Sequence, residues 1–221
     1  MSIIETIKAR HSTRAFLDDA IDRQTLYHIL DSARWAPSGV NSQPWKVVVL
    51  GQENIHTLAE SLTQARVNGT DPTPDYSYYP EHWKEPYSTR RRTCGLNLYR
   101  AMGIGAKDSK QQLAAWNRNY RFFDAPVGLL FFIDKEMQTG SWIDMGMFMQ
   151  NIMLAAKEFG LDTCPQASLA EYPDIVRSQL NIENHWLLLT GMAIGYADPN
   201  AAVNQYRLPR EKVDDFTQWY A

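Results

Sequence analysis

Arg10-His11-Ser12-Thr13-Arg14 places two guanidiniums and two hydroxyls within five residues. Arginine presents a planar fork of donors and serine a compact one, so the set can hold a phosphate through charge-assisted bonds. Each such bond contributes about 1.5–3 kcal/mol. Alone, an R-x-S-x-R run reads first as a solvated basic turn. Two further segments change that reading. Pro37-Ser38-Gly39-Val40-Asn41-Ser42-Gln43-Pro44-Trp45 combines small, amide and hydroxyl groups that can hydrogen-bond a flat heterocycle or a polyol without crowding it. Gln205-Tyr206-Arg207-Leu208-Pro209, near the other end of the chain, offers a third guanidinium.

Other chemistries lack their residues. The sequence has no G-x-G-x-x-G after a strand pattern, no G-x-x-x-x-G-K-[ST], no G-x-S-x-G and no H-E-x-x-H. A dinucleotide-binding domain, a P-loop enzyme, an α/β-hydrolase and a zinc protease therefore lose ground. Five scattered histidines show no ligand spacing, so no metal site is expected. A formal net charge of -3 argues against nucleic acid or an anionic membrane as main partner. Glu5, Lys8 and Arg10 precede any apolar run, so no leader is expected, and two distant cysteines suit a reducing cytoplasm.

The elements that must position these residues follow from pattern. The 221 residues read as one domain. Ser2 and Glu5 form a capping box opening a short helix with Ile3, Ile4 and Ile7 inward. Asp22 caps a second helix that turns Leu26, Ile29, Leu30 and Ala33 to one side. Val47–Leu50 reads as a strand with both faces covered, followed by a helix around Ile55, Leu58 and Leu62. Residues 67–92 carry four prolines among many aromatics, which predicts an excursion without long regular elements. Helical patterns resume at Leu96–Met102 and Asp108–Tyr120; strands follow at Val127–Ile133 and Trp186–Ile194, with a helix at Tyr172–Leu180 and a short one from Pro209. The centre is Gly140–Gly160, opened by a Ser141–Asp144 capping box and apolar nearly all round, hence expected to be buried on every side. The class is α+β, with few strands and many helices.

In this order the segments resemble the FMN-dependent nitroreductase family, its nitrobenzoate-reductase-like members in particular. R-x-S-x-R opens the chain and P-S-x-x-N-x-Q-P-W follows. The central helix with Gln150-Asn151, Cys164-Pro165-Gln166-Ala167-Ser168, G-Y-x-D-P and R-L-P complete the set. The resemblance implies a nitroreductase-like fold, a small, mostly antiparallel sheet with helices around a buried central helix, in an intertwined homodimer. It implies FMN at the subunit interface, NADH or NADPH as electron donor, and ping-pong reduction of nitroaromatic or similar electron-poor acceptors. Enones, haloaromatics or the flavin itself are alternative substrates on the same scaffold, and a non-catalytic flavin-binding dimer is a different class. Carried over by position, Arg10, Ser12 and Arg207 would hold the phosphate and ribityl chain, with His11 nearby. Arg14 would face the pyrimidine edge as electrostatic stabiliser of the reduced flavin. Pro37, Ser38, Gly39 and Asn41 would come from the partner chain; Gln166, Ala167 and Ser168 would lie near the reactive nitrogen. Trp83, Tyr87, Trp116, Tyr120, Phe122 and Phe123 are candidates for the acceptor pocket, with core or dimer packing an equal reading of each taken singly, while Arg90, Arg91 and Arg92 read as a surface cluster. Gly39 stands where many relatives have a second serine, and Gln205 where some have a basic residue.

Overall fold

The computed structural model describes residues 2–220. Helix α1 (Ile3–Ala9) opens with the expected capping box: Ser2 Oγ accepts from the Glu5 N–H at 3.3 Å, and the Glu5 carboxylate accepts from the Ser2 N–H at 2.7 Å. Helix α2 (Arg23–Ala33) starts at Asp22, whose carboxylate accepts from the Thr25 N–H at 2.8 Å. Both starts satisfy N–H groups that a first turn leaves unpaired.

Four strands, β1 (Lys46–Gly51), β2 (Val127–Asp134), β3 (Asp162–Gln166) and β4 (Trp186–Gly195), form one antiparallel sheet in the order β1-β2-β4-β3. Strand β2 is apolar without alternation because it is central and covered on both sides. Val127, Leu129, Phe131 and Ile133 face a core shared with α2 and with α6 (Thr139–Glu158). Leu130 and Phe132 face a second core built with α3 (Gln52–Val67) and α7 (Pro173–Leu180). The remaining helices, α4 (Tyr87–Ala101), α5 (Ser109–Asn117) and the four-residue α8 (Val213–Phe216), carry no buried residue. The expected α+β class and the small helix-flanked sheet are both present.

Five expectations need correction. Strand β1 is an edge, and its Val49 is 44% exposed rather than covered on both faces. In α1, Ile3, Ile4 and Ile7 are exposed, Ile3 at 64%, rather than turned inward. Helix α6 starts at Thr139, with Gln138 as an N-cap that makes no side-chain bond. Asp144 is not its cap: that buried carboxylate accepts instead from the Gly39 N–H at 3.2 Å. Nor is α6 covered all round, since Met145, Phe148, Ile152, Met153 and Ala156 are buried while Ile143 is 68% exposed. Finally, α4 begins inside the Pro-rich excursion, directly after Pro86. A proline before the first turn costs a helix little, because the missing N–H would have had no partner there.

The root of that excursion is fixed. Arg177 Nη1 and Nη2 donate to the two Asp75 oxygens at 2.6 and 3.0 Å, and Asp75 also accepts from the Leu188 N–H at 2.9 Å. The Thr73 N–H donates to the Glu171 carbonyl at 3.0 Å.

Candidate functional site

Beyond α1 the chain runs extended. The Thr13 N–H donates to the Thr163 carbonyl at 3.1 Å, the Arg14 N–H to Asn204 Oδ1 at 2.9 Å and the Leu17 N–H to the Tyr196 carbonyl at 2.9 Å. Ser12 thereby bridges β3 in parallel at Thr163. Alternate side chains of an extended segment share a face. The spacing of R-x-S-x-R thus puts Arg10, Ser12 and Arg14 on one side, while Thr13 turns wholly into the interior.

Those three, with His11, line a cleft of about 680 Å³ whose other wall comes from the far end of the chain, Tyr206, Arg207, Leu208 and Arg210. Ile7, Lys8, Cys94 on α4 and Gln150 on α6 complete it. The lining holds five cations (Lys8, Arg10, Arg14, Arg207 and Arg210) and no carboxylate. Among the described residues none of the four arginines forms an ion pair. Burial lowers the Arg10 pKa, and Arg210 pushes the same way. His11 is also held below its ordinary value, first by burial and then by Arg207, against a hydrogen bond to Ala9 that raises it. Its Nδ1 lies 3.1 Å from the Ala9 carbonyl and its Nε2 3.4 Å from Thr13 Oγ1. Neutral imidazole protonated on Nδ1 satisfies both contacts. Crowded like charges are destabilising unless an anion joins them, and Asp162 is the one carboxylate among the described residues that offsets Arg10 and His11, so the chemistry of this donor set suits a phosphate.

Individual guanidiniums are tethered by backbone oxygens. Arg207 Nη1 donates to the carbonyls of Asn204 and Tyr206 at 2.8 and 2.9 Å. Arg14 Nη1 donates to the Ser12 carbonyl at 3.3 Å and to the Tyr206 hydroxyl at 3.4 Å. Each arginine has five N–H donors, so most remain for a ligand.

The other expected site residues do not line this cleft. Pro37, Ser38, Gly39 and Asn41 sit in an outlying turn before β1, stapled to α6 by the Gly39–Asp144 bond and by Trp45 stacked on Phe148 at 4.8 Å. Val40, Asn41 and Gln43 adopt positive φ there, which gives the turn a fixed, outward shape. Gln166 ends β3, roughly 10 Å along the strand from Ser12's bridge at Thr163, and Ala167 and Ser168 follow it in a short turn. Gly191 lets them in: a Cβ on it would lie 2.1 Å from Leu169 Cδ1. Gln166 Nε2 donates to the Asn119 carbonyl at 2.8 Å, but buried Gln166 Oε1 and Ser168 Oγ have no partner among the described residues. An unpaired buried polar atom costs about 1–3 kcal/mol, so both atoms suit a ligand that supplies one.

Tyr120, Phe122 and Phe123 are not acceptor-pocket residues; all three are buried in the core facing α3 and α7. Trp116 packs on Tyr120 and lies under the Arg66 guanidinium at 3.7 Å. Trp83 lines an open groove with Arg91, Arg92 and Tyr99. Sequence reasoning quoted Gln150 and Tyr206 within their motifs without giving them a place at the site, and missed Arg210 and Cys94. Gln150 had a signal, a polar residue interrupting an apolar helix, and Arg210 lies one helical turn's count beyond Arg207; Cys94 had none.

A model of the nitroreductase family matches residues 7–196. The chain belongs to the nitroreductase family. It is 38% identical over 218 residues to the chloronitrobenzene nitroreductase of Comamonas testosteroni, covering 97% of this chain and 95% of that protein. It is 37% identical over 214 residues to the 4-nitrobenzoate reductase of Pseudomonas putida, covering 96% and 93%. The fold superposes with a TM-score of 0.97, at 36% identity and full coverage of both chains, on the FMN and NADPH-dependent nitroreductase NfnB of Sphigopyxis sp. strain HMH. NfnB of Mycobacterium smegmatis, solved in complex with NADPH, gives 0.94 at 34% identity over 99% and 98% of the chains. The nitroreductase-like fold is therefore the fold of this chain. No helix among the described residues is long and apolar enough to cross a membrane.

Proposed function

We propose that this nitroreductase-family chain binds FMN and uses NADPH, or NADH, to reduce nitroaromatic or similar electron-poor acceptors, donor and acceptor occupying one site in turn. The observation that carries the reading is the cleft in which Arg10, Ser12, Arg14, Arg207 and Arg210 meet from opposite ends of the chain with no carboxylate among them. Relatives covering nearly the whole chain are named for nitroaromatic reduction, which supports the substrate class. FMN, when bound, supplies the redox chemistry that no side chain of this set could perform.

The residues then take these roles. Arg10, Ser12, Arg207 and Arg210 hold the phosphate, and His11 adds a polar contact beside it. Arg14 supplies a fixed positive charge further along the cleft, where negative charge on the cofactor is stabilised. Gln166 and Ser168 offer the unpartnered oxygens at the β3 end to the ring system. The turn at Pro37, Ser38, Gly39 and Asn41 is assigned to the second site of a homodimer, which its absence from the lining of its own cleft favours. We read residues 1–221 as one such unit, with 67–92 as an excursion from it, working in the cytoplasm.

Absorbance of the purified full-length protein tests the proposal. Bound flavin should be visible or gained on incubation with FMN, bleach anaerobically with NADPH, and recover on adding 4-nitrobenzoate, with parallel double-reciprocal plots in the steady state. A protein that takes up no FMN overturns it; a flavin that binds but resists both NADPH and NADH reduces it to a non-catalytic binder.

A further inference from the structure

Asn204 is buried, 5% exposed, and belongs to no segment that bears a predicted ligand contact. Its side chain nevertheless ties the R-x-S-x-R end of the cleft to the turn after β4, and its main chain holds Arg207 of the opposite wall. Asn204 Oδ1 accepts from the Arg14 N–H at 2.9 Å, and Nδ2 donates to the Ala15 carbonyl at 2.8 Å and to the Asp198 carbonyl at 3.0 Å. Its own carbonyl accepts from Arg207 Nη1 at 2.8 Å, and its N–H donates to the Ala201 carbonyl at 2.9 Å. Both Nδ2 donors are used, and the partners lie on the R-x-S-x-R segment, the turn after β4 and the arginine preceding Leu208-Pro209. Such a fully satisfied buried amide fixes its partners rigidly, because losing any of them strands a polar group.

We propose that Asn204 is the positioning residue that sets the phosphate grip, holding the two ends of the chain at a fixed separation against the repulsion of the guanidiniums they carry. This rests on the reading of the cleft as the FMN phosphate site. Arg10 and Arg14 come from one end, Arg207 and Arg210 from the other, with no carboxylate lining the space between. Without a strut, four cations would part before a ligand arrived, and the ligand's binding would have to draw them back. With Asn204 in place the cluster is arranged in advance, so less of the interaction is lost to ordering. Asn204 touches no ligand in this scheme; its side chain acts through the backbone of Arg14 and Ala15, which it fixes relative to the main-chain carbonyl that receives Arg207.

The grip is specific to phosphate, so the test compares FMN with riboflavin, which lacks it, on the full-length apoprotein. Wild type should bind FMN more tightly than riboflavin, and Arg207→Ala should erode that preference. Asn204→Leu, which keeps the volume and removes every polar atom of the side chain, should weaken FMN by about tenfold, the scale of one charge-assisted bond, while riboflavin changes by less than about twofold. Should that variant fold poorly, Asn204→Ala removes the same polar atoms without adding charge or bulk, and should shift the same ratio in the same direction. A measurement on wild type needs no variant: the Arg14 amide should be protected from hydrogen exchange before any flavin is added. A preference for FMN that Arg207→Ala erodes and both Asn204 variants retain would overturn the inference alone. So would an Arg14 amide that becomes protected only on binding FMN. No preference in wild type would overturn the reading of the cleft, and this inference with it.

Discussion

At the scale of single residues, the cleft concentrates charge that only a ligand can neutralise. Replacing Arg10 or Arg207 with alanine should raise the FMN dissociation constant by about 10- to 150-fold, the equivalent of about 1.5–3 kcal/mol for one charge-assisted bond. Isothermal titration reads it, and an unchanged constant removes that residue from the site. His11 yields a pH prediction. Its folded pKa lies below its ordinary value because burial disfavours the imidazolium. A histidine with a lowered folded pKa contributes stability that is present above its unfolded pKa, about 6.5, and is lost as pH falls through the folded value. Chemical denaturation of the apoprotein should therefore show stability falling on acidification from neutrality, and His11→Gln should flatten that fall; a variant with wild-type pH dependence would refute the assignment. Arg10, Ser12 and Arg14 were legible in the sequence because R-x-S-x-R is a period-2 pattern with one face. Tyr206 and Asn204 were not, since Tyr206 accepts from the Arg14 side chain 192 positions away and Asn204 bonds the Arg14 and Ala15 backbone 190 and 189 positions away, which no local spacing encodes.

Among the elements, the sheet and helices were legible wherever burial left a period, as in β2, β4 and α2, or where a cap was local, as at Ser2 and Asp22. The reading failed where a residue's partner was distant. Asp144 has the spacing of a cap, yet Gly39, 105 positions away, takes its carboxylate. Val47–Leu50 looks central because it is apolar, while its edge position depends on strand order. The Pro-rich excursion concealed both α4 and its own anchor, the Asp75–Arg177 pair. Both side chains are nearly buried, at 12% and 8% exposure, and Asp75 in turn raises the Arg177 pKa more than any other neighbour. Removing one partner of a buried pair strands the other charge and costs about 3–5 kcal/mol. Arg177 Nη2 also donates to the mostly exposed Asp174 at 2.7 Å, so Asp75→Ala should lower stability by somewhat less than that in urea unfolding and speed amide exchange through 70–76. Adding Arg177→Met to Asp75→Ala should restore part of the loss. A single variant within about 1 kcal/mol of wild type would show that the pair is dispensable for holding the excursion.

For the whole molecule, the uncovered apolar surface is the feature that one chain leaves unexplained. Ile3, Ile4 and Ile7 on α1, Ile143 on α6, and Phe216, Trp219 and Tyr220 near the C-terminus are all exposed. Exposed apolar area on this scale marks association. The proposed homodimer accounts for it, and also for a Pro37–Asn41 turn that carries ligand-type groups yet stays outside its own cleft. Gly146 allows the two claims to be tested together. It lies on the exposed side of α6, three residues after Ile143, and a Cβ there meets nothing within 4 Å in its own chain. Leucine at 146 is therefore accommodated by a single chain, and its higher helix propensity favours α6 by a fraction of about 1 kcal/mol. Against a second copy packed on that face, the same side chain collides. Gly146→Leu should thus leave the circular dichroism spectrum intact, shift the sedimentation coefficient from dimer toward monomer, and lower FMN content in parallel, because each cleft would lose the turn donated by its partner. Loss of the dimer with full retention of FMN would place the whole flavin site in one chain. A Gly146→Leu variant that remains dimeric would move the contact off α6, and a monomeric wild type would leave the exposed isoleucines without their partner.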